Sequence, residues 1–188
     1  MYSINNRVRA PEQHSNKHST RRRNMQTFLY LLTSLATLAV HAFAACAVTL
    51  PQFELLFTGP LVIGNTDIVN GSYGSRLNVA LLTGNLSDSS GKLAAKLVSG
   101  TNVENGIVAA DGIYFPNGRL TYQWEVDGTF AFIEARGVGE VFVAHMDYMH
   151  LETDSETWSF LNSRFLFANV TWDSPTSNTP TVSVFGLV

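Results

Sequence analysis

From Cys46 onward, hydrophobic and polar residues trade places over short distances. Segments rich in Val, Thr, Phe, Tyr and Leu are cut by clusters of Gly, Asn, Asp and Ser, the composition of strands and turns. The breaks fall at Thr58-Gly59-Pro60, Asn70-Gly71-Ser72, Thr83 to Gly91, Asn105-Gly106, Asp111-Gly112, Pro116-Asn117-Gly118, Asp127-Gly128 and Asp173 to Pro180. No long helical period, internal repeat or dividing linker interrupts the pattern. Many short strands with such turns predict one all-β domain, a sandwich or a barrel.

The clearest local element runs from Arg119 to Arg136. Leu120, Tyr122, Trp124 and Val126 alternate with Arg119, Thr121, Gln123 and Glu125. Asp127-Gly128 supplies a two-residue turn, because glycine tolerates the positive φ that a type I′ hairpin needs. That turn pairs Val126 with Thr129, Trp124 with Ala131, and Tyr122 with Ile133 on a wholly apolar face. The opposite face carries Arg119, Thr121, Gln123, Glu125, Phe130, Phe132, Glu134 and Arg136. Two Phe among polar groups is the mixture that small-molecule pockets use; a solvent-facing surface is the alternative. Further on, Arg164 to Trp172 reads as a central strand, apolar on both faces, with Asn169 on the face of Phe165 and Phe167.

The N-terminal 44 residues have a different character. They hold six of the twelve Lys and Arg but one of the fifteen acids, so the remaining 144 carry 6 basic and 14 acidic side chains, a formal charge of −8. That acidic balance gives no basic patch for nucleic acid. Residues 25–44 have the layout of a secretory signal: Arg21-Arg22-Arg23, an apolar stretch from Phe28 to Val40, and a small-x-small cleavage motif at Ala42-Phe43-Ala44. The stretch is too short and too interrupted for a membrane span. Residues 1–24 form a polar extension, or lie ahead of a start at Met25. The mature domain is then 45–188, a secreted monomer or homodimer. Its one cysteine, Cys46, excludes an internal disulfide. Three N-x-S/T sequons are present. Asn70 and Asn85 lie in turn-like sequence and are the expected glycan sites; Asn169 is disfavoured by its aromatic neighbours.

Few residues carry recognisable chemistry. His145, Asp147, His150 and Glu152 could chelate a cation, but His residues five apart share neither a helix face nor a strand face. A polar surface loop is the preferred reading, and no metal or other cofactor is expected. No nucleophile motif or phosphate-binding glycine loop appears. General acid–base chemistry stays open to Glu134 and Glu152, should either be buried.

The segment Leu151-Glu152-Thr153-Asp154-Ser155-Glu156-Thr157-Trp158-Ser159-Phe160-Leu161-Asn162 resembles the F-E-T-x-x-x-x-Y-x-W-L-N stretch of the "domain of unknown function 3237" family. Glu152, Thr153, Leu161 and Asn162 match directly, while Leu151, Trp158 and Phe160 stand for its Phe, Tyr and Trp. Upstream, Asp111-Gly112, Leu120 to Trp124, Asp127-Gly128 and Thr129 to Gly137 follow the family's order of turns and strands. Thr121 and Gln123 replace an Asp and an Arg of that pattern. The resemblance implies a single antiparallel β-barrel, lipocalin-like in general shape, with a β-sandwich as runner-up, and brings no established reaction. It also favours the mixed hairpin face as the barrel interior or mouth.

The resulting expectation is a secreted barrel that binds a small, largely apolar molecule. Phe130 and Phe132 would form the wall, Gln123, Arg136 and Asn162 would orient polar atoms, and Trp158 would stack. The alternatives are a cofactor-free isomerase, lyase or cyclase working through Glu134 or Glu152, and a secreted surface or interaction protein.

Overall fold

The computed structural model describes Met25, residues 27–30 and residues 49–188. The chain divides into a unit of residues 1–50, in which residues 25 and 27–30 are helical, and a unit of residues 51–188. Most of the expected signal segment, its cleavage motif, the extension before it and Cys46 lie outside the described residues. Among the described residues no helix is long and apolar enough to cross a membrane.

The second unit is built from eleven strands. They are β1 (Phe53–Gly71), β2 (Gly74–Asp88), β3 (Leu93–Leu97), β4 (Val103–Glu104), β5 (Ile107–Val108) and β6 (Tyr114–Phe115). Then come β7 (Asn117–Trp124), β8 (Phe130–Glu140), β9 (Ala144–Thr153), a 3-10 helix (Ser159–Ser163), β10 (Leu166–Thr171) and β11 (Thr181–Leu187). Eight strands close a ring in the order β1, β11, β10, β9, β8, β7, β3, β2, and β2 pairs back onto β1. All these pairings are antiparallel. The short β4, β5 and β6 patch the wall between β2 and the pair β7–β8. One closed sheet, not two stacked ones, therefore encloses the core.

Alternation along each strand decides what enters the barrel. In β7, Gly118, Leu120, Tyr122 and Trp124 point inward; in β8, Ala131, Ile133 and Ala135 do so. The bulky Tyr122 faces the small Ala131, while Leu120 faces Ile133 and Gly118 faces Ala135, a mixture of sizes that fits the narrow lumen of an eight-stranded barrel. Each large apolar side chain buried here contributes roughly 1.5–3 kcal/mol.

The β7–β8 hairpin corrects two expectations. Tyr122 pairs with Ala131 and Leu120 with Ile133, a register two residues away from the predicted one. The loop is longer than two residues: the Gly128 amide donates to the Trp124 carbonyl at 3.0 Å, and the Trp124 amide donates to the Thr129 carbonyl at 2.9 Å. Asp127 accepts from the Thr129 amide and hydroxyl and from the Ser155 hydroxyl, which holds its carboxyl below the usual range and makes this wider loop the stable one. A slip of two leaves each side chain on its own face, so the division into faces survives. Which face is inside does not: the wholly apolar face fills the lumen, and the mixed face lies outside.

Two predicted breaks are corrected. Thr58-Gly59-Pro60 lies within β1, and the break expected from Thr83 to Gly91 is confined to the turn after Asp88, where β2 ends. Gly59 serves close approach and not a turn, since a Cβ there would sit 1.9 Å from the Asn85 carbonyl oxygen. Asn85 is consequently an exposed strand residue, whereas Asn70 stands next to the β1–β2 turn as expected. Asn169 lies in β10 on the outward side, between β9 and β11.

Candidate functional site

Of the residues expected to form a pocket, none lines the barrel cavity. Phe130 and Phe132 are 52% and 40% exposed on the outer wall, and Gln123 and Arg136 are exposed beside them. Glu134 pairs outside with Arg119 at 3.1 Å, and Glu152 pairs outside with His150 at 2.8 Å. Such exposed pairs contribute little. The physical reason is capacity: Trp124, Tyr122 and Leu120 already occupy the lumen at this hairpin.

Trp158 and Asn162 close one end of the barrel. Trp158 stacks on Trp124 with ring centroids 5.2 Å apart and meets Phe57 edge-on at 5.0 Å. Asn162 grips Thr153 from both sides, accepting from its amide and donating to its carbonyl at 2.8 Å each. The Thr153 hydroxyl donates to the Phe130 carbonyl and accepts from the Trp124 indole N–H. The residues of the family-like segment thus act here as a lock on the barrel end.

The interior holds a cavity of about 60 Å³. That is room for about four to six water-sized groups. Its wall is mostly aliphatic: Leu61, Ile63, Leu81, Ile133, Met149 and Val184 are among the lining residues. Three acidic or basic side chains break this wall, namely Glu104, His145 and Asp147, together with the edges of Tyr122 and Trp172.

His145 and Asp147 are placed by β9, whose odd-numbered residues from His145 to Leu151 are buried. They are 4% and 5% exposed, and His145 Nδ1 lies 3.0 Å from Asp147 Oδ1. Opposite them, β8 carries Gly137 against Asp147 and Gly139 against His145. A Cβ at Gly137 would sit 2.2 Å from Asp147 Oδ1, and one at Gly139 would sit 2.5 Å from His145 Cβ. Glycine at both positions leaves the space that the two side chains occupy. The His145 ring lies between the Tyr114 ring, edge-on at 5.6 Å, and the Trp172 ring at 5.5 Å.

Glu104 reaches the cavity from β4, and the Tyr114 hydroxyl donates to its Oε1. Gly106 permits this contact, because a Cβ there would collide with the Tyr114 ring at 2.2 Å. Burial pushes the Glu104 carboxyl up, with Asp147 adding to the rise; the Tyr114 bond and His145 oppose it. The Tyr114 and Tyr122 hydroxyls are pushed up by burial, Tyr114 further by Glu104, so both remain neutral donors. Two buried nitrogens at this site have no partner: His145 Nε2 and Trp172 Nε1. Among the described residues no group of three or more His, Cys, Asp and Glu is arranged to hold a metal ion.

His145 and Asp147, expected in a polar surface loop, lie instead on the inner face of β9. The signal that identifies them is the alternation His145, Asp147, Met149, Leu151 against Met146, Tyr148, His150, Glu152, which a strand separates into an inner and an outer row. Trp172 continues the inner row Leu166, Ala168, Val170 of β10, whereas Glu104 carries no comparable signal, since β4 is two residues long.

The barrel has solved counterparts. A protein with unknown function from Clostridium acetobutylicum superposes with a TM-score of 0.64 at 15% identity, covering 73% of this chain and 99% of that one. A beta-barrel like protein from Acinetobacter baumannii gives 0.63 at 14% identity, with 76% and 99% covered. An enzyme from Penicillium herquei gives 0.56 at 17% identity, with 75% and 97% covered. At these identities the likeness is one of fold. No protein-family model and no curated protein matches the chain.

Proposed function

We propose that this protein binds a small, largely apolar molecule inside the barrel, with the ligand's polar atoms directed at Glu104, His145 and Trp172. The observation that carries the reading is the cavity itself, an aliphatic chamber with a few converging polar groups. Its volume suits a single ring or a short branched chain. The outer wall, with Phe130 and Phe132, has no part in this reading.

Ala168 lies on the cavity wall, 3% exposed. Ala168→Phe fills the chamber at a cost of about 1–3 kcal/mol from overpacking. Cyclohexanone is a suitable probe. It is expected to raise the melting temperature of the wild type, because a ligand that binds only the folded state stabilises it, and to leave Ala168→Phe unmoved. An equal response from both proteins would place binding elsewhere and overturn the reading.

We further propose that the chain is a secreted member of the "domain of unknown function 3237" family, with residues 25–44 as its signal and glycans at Asn70 and Asn85. The exposure of both asparagines supports this. Expression from Met25 in a eukaryotic secretory host is expected to release a chain starting near Ala45 with glycan mass. Retention inside the cell would overturn it. Catalysis is compatible with the fold, since a barrel of this kind is an enzyme in Penicillium herquei.

A further inference from the structure

Two buried, unpartnered nitrogens border the cavity, and they have opposite needs. Trp172 Nε1–H is a donor only, so it lacks an acceptor. His145 directs Nδ1 at the Asp147 carboxylate at 3.0 Å. A carboxylate accepts, so Nδ1 carries the proton, and with the ring neutral Nε2 offers a lone pair. That lone pair lacks a donor. Leaving such groups unsatisfied in the interior is costly. A bound molecule relieves both if it presents an acceptor oxygen and, beside it, a transferable hydrogen.

The acidic groups around the pair fit the same molecule. Glu104 lines the same cavity as His145 and Asp147. Burial favours its neutral form, in which the carboxyl can donate to an oxygen while Tyr114 holds its other side. Asp147 is fixed in turn by the space left at Gly137. A base, its orienting carboxylate and a neutral acid therefore share one water-poor chamber.

We propose that the cavity is a proton-transfer site for an enolisable carbonyl compound, with His145 as base, Asp147 as its positioning residue, and Glu104 and Trp172 as donors to the carbonyl oxygen. This rests on the binding reading above and gives it a chemistry. His145 Nε2 takes a proton from the carbon next to the carbonyl. The C–H electron pair becomes a C=C bond, and the carbonyl π pair moves onto oxygen, where Glu104 and Trp172 hold it. The imidazolium then returns its proton to the same carbon, or to a conjugated one with a shift of the double bond. Nothing is oxidised or reduced, and no co-reactant is consumed.

Cyclohexanone in D₂O tests the step, with exchange of its α-hydrogens followed by NMR and binding followed by the melting temperature. The wild type is expected to speed exchange about 100-fold or more over buffer, the scale of general acid–base catalysis. His145→Gln should bind the ketone and lose the acceleration. Long-range ¹H–¹⁵N spectra of the wild type should show His145 protonated at Nδ1, and Asp147→Asn should disturb that tautomer. A stabilised wild type that exchanges the ketone at the buffer rate overturns proton transfer and leaves the binding reading standing. So does an unaltered rate in His145→Gln, or a His145 protonated at Nε2. No stabilisation by the ketone overturns both.

Discussion

Glu104 is a carboxyl that the fold keeps out of water, and its burial has a thermodynamic consequence. Its affinity for a proton is higher folded than unfolded, where the ordinary value is 4.5. Below that pH both states are protonated and the group contributes fully to stability. As pH rises past it, the unfolded chain releases its proton first, so stability falls until the folded carboxyl ionises as well. Glu104→Gln keeps an oxygen for the Tyr114 hydroxyl and removes the titration. The melting temperature of the variant is therefore expected to gain on that of the wild type between pH 4 and pH 8, measured by calorimetry. A constant difference across that range would show that Glu104 is not held in its neutral form.

At the scale of elements, the β8–β9 pair decides where the chemistry sits. Gly137 and Gly139 are cut away where Asp147 and His145 need room. Gly137→Ala brings a methyl group against both the Met146 carbonyl oxygen, at 1.9 Å, and the Asp147 carboxylate. A cost of about 2–3 kcal/mol is expected in urea unfolding, as for overpacked sites. Gly91→Ala, at φ +83° in open space, should cost only about 1–2 kcal/mol from the left-handed backbone. The same pair shows how far the sequence could be read. Alternation separated the two faces of β7 and β8 correctly, since side-chain period is a local property. Which face turns inward depends on what the other six strands bring to the lumen, and no hairpin contains that information. His145 and Asp147 were hidden by the habit of reading polar clusters as loops; the alternation through Met149 and Leu151 was present. Thr153 and Asn162 were legible as a pattern, but only their hydrogen bonds show them to be a lock.

The whole molecule is legible in outline and not in detail. Strand-rich composition and the resemblance led to a single barrel, and a closed ring of eight strands is found. The cavity was not foreseeable, because it is made by residues from β1, β2, β4, β7, β8, β9, β10 and β11 that are remote along the chain. Beyond the enclosed site, β9 carries the same two-residue spacing twice. His145 and Asp147 meet inside at 3.0 Å, while His150 and Glu152 meet outside at 2.8 Å, where the side chains are 47% and 67% exposed. The strand is thus its own reference sample. Two imidazole–carboxylate contacts, a few residues apart on one backbone, differ in whether water surrounds them and in the atoms they use, Nδ1 with Asp147 inside and Nε2 with Glu152 outside. Following both in a single tube subtracts buffer, temperature and ionic strength, and what remains belongs to the enclosure together with the different atoms that meet in each pair.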